Sequence, residues 1–223
     1  MVQKNLLLFL GAPGSGKGTL AQRCVQEFDY VQLSTGCLLR EHVAQSTTLG
    51  KSVDLALKSG KLVDDTLITD MVTDWVAQHP TTVRIILDGY PRTVVQAEAF
   101  GRYAASTGNK PTIVWLKISE QGVVDRLTLR VVCSKSGCQA VYSLANGSGC
   151  RPSKEGVCNV CDSPLVRRSD DDIEAIKKRL KLYSVHEQQL LTFYNKLGYE
   201  IIDLNAVNSA DSIFDEFKQR VHR

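Results

Sequence analysis

The segment Gly11-Ala12-Pro13-Gly14-Ser15-Gly16-Lys17-Gly18-Thr19 has the composition of a loop wrapped around a phosphate. It follows the apolar run Leu6–Leu10 and precedes a helical pattern starting at Lys17. Strand, glycine loop and helix in that order bring backbone N–H groups and the positive end of a helix to one point. The glycines let the backbone approach an anion with no side chain between. Lys17 adds a full charge, and the Thr19 hydroxyl can meet a metal or a phosphate oxygen. The strict phosphate-loop pattern has Ser or Thr directly after the lysine, and here Gly18 intervenes.

A second kind of chemistry lies further along. Of seven cysteines, Cys24 and Cys37 stand apart, while Cys133, Cys138, Cys150, Cys158 and Cys161 crowd together. Cys133 and Cys138 form a C-x4-C pair, Cys158 and Cys161 a C-x2-C pair, with nineteen residues between the pairs. Two turns that each present two thiolates supply a tetrahedral metal site. No histidine lies in this stretch, so four cysteines is the natural ligand count. Four protein ligands leave no open position, which makes the site structural. Zinc is the default, and the same cage takes iron. Cys150 is a spare able to replace one ligand.

Elements must position these groups. Short apolar runs at Leu6–Leu10, Val31–Leu33, Val83–Leu87, Ile113–Ile118 and Glu200–Leu204 read as strands. Helical patterns fill Lys17–Phe28, Leu38–Ala44, Asp64–Gln78, Val94–Ala105, Glu120–Leu129, Asp170–Lys196 and Ala210–Val221. The alternation predicts an α/β fold: a parallel five-stranded sheet with helices on both faces. Ligands then bind beyond the carboxyl ends of the strands, where the glycine loop and Asp88-Gly89-Tyr90 both fall. The stretch from about Val131 to Arg168, rich in Cys, Ser, Gly and Asn, breaks the rhythm and reads as a small inserted domain.

The chain has 223 residues, 43% of them hydrophobic, and a net charge of +3, too small to argue for nucleic acid as the main partner. No apolar run approaches membrane-spanning length, and the N-terminal run is too short for a secretion signal. The expectation is a soluble cytoplasmic protein, whose reducing surroundings favour metal over disulfides.

Three further segments join the glycine loop: Leu33-Ser34-Thr35-Gly36-Cys37-Leu38-Leu39-Arg40; Leu87-Asp88-Gly89-Tyr90-Pro91-Arg92-Thr93 with Gln96; and Arg167-Arg168-Ser169-Asp170-Asp171 with Lys177-Lys178-Arg179-Leu180. Together, and in this order, they resemble the adenylate kinases of the long-lid bacterial type with a zinc-bearing lid, over essentially the whole chain. The resemblance implies a P-loop fold and reversible transfer of the γ-phosphoryl group of ATP to AMP, with magnesium, giving two ADP. It implies a core (1–33, 64–128 and 172–223), an AMP-binding domain (34–63) and a lid (129–171) carrying zinc on Cys133, Cys138, Cys158 and Cys161. ATP would be held by Gly14, Ser15, Gly16, Lys17, Gly18, Thr19, Arg126, Arg130, Val141, Tyr142 and a backbone contact at Ala206. AMP would be held by Thr35, Arg40, Lys61, Leu62, Val63, Gly89, Tyr90, Pro91, Arg92 and Gln96, with Arg168 and Arg179 reaching across. Asp88 would hold magnesium through water. A monomer is implied as well.

The residue chemistry is consistent with this. An AMP phosphate oxygen is already ionised at neutral pH, so the reaction requires alignment and charge compensation and no general base. Lys17, Arg92, Arg126, Arg130, Arg168 and Arg179, with Arg40, form a suitable cationic set, since the arginine fork matches phosphate. Asp170 and Asp171 either steer the lid arginines or supply negative charge to the N-terminus of the long helix. Three positions depart from the family's pattern. Cys37 stands where an aspartate helps organise magnesium water, Ser143 where a histidine commonly sits beside ATP, and the first cysteine pair is wider than C-x2-C.

Two other readings are weaker. A UMP/CMP-type kinase would carry a small apolar residue in place of Thr35 and a short lid. A zinc-knuckle nucleic-acid module would need more than the Lys135, Arg151 and Lys154 found in Val131–Val166.

Overall fold

The computed structural model describes residues 5–58, 63–135, 137–138, 140–146 and 148–221. Strand β1 (Leu6–Gly11) is buried along its whole length, as an unbroken apolar run requires in a sheet covered on both faces. It lies at the centre of five parallel strands, with β2 (Tyr30–Ser34), β3 (Arg84–Asp88), β4 (Thr112–Lys117) and β8 (Ile201–Asn205) in the order β2-β3-β1-β4-β8.

Alternate residues face opposite layers. Leu6, Leu8 and Leu10 join one core with residues of α2 (Thr35–Ala44), α3 (Thr48–Lys58), α4 (Asp65–Ala77), α5 (Val94–Ser106) and α7 (Ile173–Lys196). Leu7 and Phe9 face the other core, built by α1 (Lys17–Phe28) and α8 (Ala210–Arg220). A third, smaller cluster joins Ala12 of the glycine loop to Val123 and Leu127 of α6 (Glu120–Thr128) and to Ile176 and Leu180 of α7. This cluster packs the glycine loop against α6 and α7.

The inserted stretch forms a separate antiparallel sheet of β5 (Arg130–Cys133), β6 (Val141–Ser143) and β7 (Leu165–Val166), in the order β6-β5-β7. Its own core is small: Val131, Cys133, Ala140, Tyr142 and Cys158.

Most expected elements lie within a residue or two of the observed ones. Three differ more. Helix α2 begins at Thr35, three residues before the expected Leu38, with Ser34 at its N-cap. Helix α7 begins at Ile173 and not at Asp170, because Asp172 is the cap, its carboxylate accepting the N–H groups of Glu174 and Ala175. Helix α3 is additional. Gly50 weakens the helical signal there, yet a Cβ at this position would lie 2.0 Å from the His42 carbonyl oxygen. Only glycine lets α3 pack this close to α2. Among the described residues no helix is long and apolar enough to cross a membrane.

Candidate functional site

The glycine loop turns sharply out of β1. A Cβ on Gly11 would stand 2.7 Å from Ser15 Oγ and 2.8 Å from the Leu116 carbonyl oxygen, and Gly14, at φ 78°, would meet Leu127 at 2.8 Å. Gly16 caps α1, whose first turn carries no acidic residue, so its positive end is uncompensated by the chain itself. Lys17 Nζ donates to the carbonyls of Gly11 (2.6 Å) and Ala12 (2.9 Å). Burial lowers its pKa to about 8, against the pull of Asp88; Arg92, Arg179 and Arg130 lower it further by repulsion. Asp88 ends β3 beside the loop and accepts from Gln32 Nε2 at 3.4 Å. Its Oδ2 would be only 3.5 Å from a Cβ on Gly18.

Past Asp88 the chain turns through Gly89 (φ 78°) and a cis Tyr90–Pro91 bond. The Gly89 carbonyl accepts from Thr35 Oγ1 (3.0 Å) and Arg92 Nε (2.8 Å), which ties the start of α2 to this turn. Arg92 N–H donates to Gln96 Oε1, and Gln96 Nε2 donates to Asp65 Oδ1. Asp65 was absent from the expected site; in sequence it reads only as an acidic residue in a first helical turn. The Tyr90 side chain is directed into the core, with its hydroxyl donating to Thr69 and to the Gln96 carbonyl, so only the Tyr90 backbone can serve the cleft. Val63 packs against the core. Lys61 and Leu62 lie outside the described residues.

The remaining cations come from the other side. Arg130 at the start of β5 makes a two-point ion pair with Asp171, Nε to Oδ2 at 2.8 Å and Nη2 to Oδ1 at 2.5 Å. Arg179 on α7 donates to the Asp170 carbonyl (2.9 Å) and pairs with the Asp170 (3.1 Å) and Asp171 (3.4 Å) carboxylates. The two acids therefore hold arginines, and Asp172 performs the capping. The Arg168 carbonyl accepts from Asp171 N–H at 3.2 Å, but its guanidinium has no hydrogen-bond or ion-pair partner among the described residues. Burial and repulsion from Arg130 and Arg40 bring its pKa down to about 10, and burial and Arg179 do the same to Arg92. Arg40 Nη2 donates to Cys37 Sγ at 3.2 Å. The site thus gathers cations from three segments until they repel one another, a state that a polyanion relieves.

On the far side of the loop, Arg126 donates to the Ser15 carbonyl (3.2 Å) and the Ala206 carbonyl (2.6 Å), while Ala206 N–H donates to the Lys117 carbonyl. Arg126 clamps the phosphate loop to the end of β8.

The sulfurs of Cys133, Cys138, Cys158 and Cys161 all lie within 4.8 Å of one another, with 3.4 Å between Cys133 and Cys161 and 3.6 Å between Cys138 and Cys158. A zinc tetrahedron with bonds of about 2.3 Å has edges of about 3.8 Å, so the set fits such an ion. Cys150 is not part of it. At Cys158 burial opposes ionisation, but the Tyr142 hydroxyl and the Val160 and Cys161 N–H groups outweigh it and lower the pKa to about 6. Tyr142, expected beside adenine, has its hydroxyl at Cys158 Sγ (3.4 Å) and Asn159 N (2.8 Å), serving the cysteine knuckle.

The family model described as adenylate kinase matches residues 9–199. An adenylate kinase of Finegoldia magna is 38% identical over 85% of this chain and 86% of its own length. Those of Borrelia garinii subsp. bavariensis and Thermosipho africanus are 37% identical (96% and 95% covered) and 34% identical (97% and 99%).

Proposed function

Because the chain belongs to the adenylate kinase family, we propose that its cleft divides into an ATP half around Gly14–Thr19 and an AMP half from Thr35 to Gln96, bridged by the lid-hinge arginines. The enzyme transfers a phosphoryl group between Mg-ATP and AMP. The observation that carries the division is Asp88: on one side Gly18 of the phosphate loop lies against its carboxylate, and on the other the adjoining Gly89 carbonyl ties Thr35 and Arg92 together.

Lys17 and the N-terminus of α1 hold the ATP phosphates, and Arg126 and Ala206 flank the base end. Thr35, Arg40 and Arg92 take the AMP phosphate, with Gly89, the Pro91 turn and Gln96 beside the nucleoside. Arg168 and Arg179 compensate the charge on the transferring oxygens, and Asp170 and Asp171 set where Arg179 and Arg130 point. Magnesium neutralises phosphate charge when bound; Asp88, through water, and Thr19 are the residues that would hold it. Segment 34–63 serves as the AMP-binding part and 129–171 as the lid, which excludes water from the transfer. Zinc on the four cysteines makes the lid one rigid piece. We read the enzyme as a cytoplasmic monomer; the clustered thiols, all free, suit a reducing compartment.

Initial rates with Mg-ATP against AMP, UMP, CMP and GMP, for protein as isolated and for protein stripped of its cysteine-bound metal and returned to excess magnesium, test this reading. A strong preference for AMP is expected, and metal stripping should lower both activity and thermal stability. A preference for UMP would overturn the AMP assignment, and unchanged melting and activity after metal stripping would overturn the lid assignment.

A further inference from the structure

Asp65, in the first turn of α4, has both carboxylate oxygens committed. Oδ1 accepts from Gln96 Nε2 at 2.8 Å and Oδ2 from Thr93 Oγ1 at 2.9 Å. Thr93 Oγ1 itself accepts the Gln96 N–H, capping α5, so its hydrogen is directed to Asp65. On the other side of the carboxamide, Gln96 Oε1 accepts from Arg92 N–H at 2.7 Å. Gln96 is 2% exposed, so bulk solvent does not reach in to replace these partners.

A carboxamide turned by half a rotation keeps its shape and exchanges donor for acceptor. Here the exchange is blocked twice. A carboxylate only accepts and a backbone N–H only donates, so both neighbours select one orientation. Reversal would set oxygen against carboxylate and NH2 against N–H, leaving buried groups unsatisfied.

After these bonds Gln96 retains one N–H and one oxygen lone pair. The pairing edge of a 6-amino purine offers an N–H donor at N6 and an acceptor at N1, which this combination matches. A 6-keto purine offers an acceptor at O6 and a donor at N1, which requires the reversed carboxamide. We propose that Asp65 is a positioning residue for acceptor specificity: by fixing the orientation of Gln96 it makes the site read a 6-amino purine monophosphate and reject a 6-keto one. The inference rests on the assignment of Gln96 to the AMP base.

The experiment compares AMP with inosine monophosphate, which differs from AMP on this edge, in the wild type, Asp65→Ala, Asp65→Asn and Gln96→Leu enzymes with saturating ATP. Asp65→Ala should lower the AMP-to-IMP ratio of kcat/KM by roughly tenfold or more, the loss of a hydrogen bond to a charged group. The change should appear in KM for AMP, with KM for ATP unmoved. Asp65→Asn should show a smaller drop, since its own carbonyl accepts the same bond. It also carries the test if the alanine variant does not fold. A ratio within twofold of wild type, with both acceptors impaired alike, would make Asp65 merely structural and overturn the proposal. If Gln96→Leu leaves AMP use intact, the assignment of Gln96 to the base has failed. If Gln96→Leu impairs AMP use while the Asp65 variants keep the ratio, only the role of Asp65 has failed.

Discussion

The five-stranded core sheet and the three-stranded inserted sheet solve the same problem with different materials. The core sheet is covered by apolar residues of α2, α3, α4, α5 and α7 on one face and of α1 and α8 on the other, and its central strand is wholly buried. Among the described residues the inserted segment has three short strands and an apolar cluster of five buried residues, two of them cysteines. Apolar area alone holds the first in place; a module as small as the second requires a staple. The difference teaches where precision comes from. The phosphate loop is positioned by packing, whereas Arg130 and Arg179 are positioned by ion pairs with Asp170 and Asp171.

The largest expected effect is on the staple. Cys158→Ser should abolish metal binding, which in small zinc modules is worth about 10–16 kcal/mol. Hydrogen exchange should then show lost protection in β5 and β6 and retained protection in β1, β3 and β4. Protected β5 and β6 amides in metal-free protein would break the contrast. Next comes the core. Phe217, fully buried and edge-on to Phe9 at 6.1 Å, should cost about 3–5 kcal/mol on truncation to alanine. Urea unfolding would measure this, with metal content expected to stay at the wild-type level.

The hinge should fall between these regions. The Asp171 side chain is 3% exposed and holds both Arg130 and Arg179. Asp171→Ala should lower kcat on the order of 10²-fold, the cost of misplaced catalytic groups. Asp172→Ala, which removes only a helix cap, should cost about 1 kcal/mol of stability and leave kcat within twofold. Equal effects in steady-state assays of the two variants would remove the distinction. The smallest effect concerns pH. Lys17 is charged below about 8 and loses its proton as pH rises through that value. Since kcat/KM reports the free enzyme, its value for ATP should decline above about pH 8, toward tenfold per unit. Stability should move the other way, because the unfolded chain keeps that proton up to about 10.5. A flat kcat/KM profile to pH 10 would rule out a need for the Lys17 proton.

Legibility in the sequence followed the range of the interaction. The glycine loop was readable because strand, loop and helix are contiguous, and local backbone geometry fixes where their N–H groups converge. The four-cysteine set was readable by count and spacing. Helix α3 was not, since Gly50 looks like a helix weakener until its contact with the His42 backbone is known. Tyr90 and Tyr142 sit within motifs, yet one side chain completes the core and the other the cysteine knuckle, a choice that neighbouring residues in sequence do not encode. Asp65 read only as a helix-start acid and carried no signal for the site: its partners Thr93 and Gln96 lie 28 and 31 positions away.

By itself the sequence determined the chemistry available: a phosphate loop, a set of cations, four thiols, and a parallel sheet to carry them. These depend on residue type and short spacing, which the chain states outright. Tertiary structure decided the partnerships. It paired Arg130 and Arg179 with Asp171 while Asp172 capped the helix, and it lowered the Lys17 pKa by burial among other cations. It also set the Gln96 carboxamide between an acceptor and a donor. Charge repulsion, desolvation and hydrogen-bond direction depend on distances across the fold, so only the folded chain fixes them.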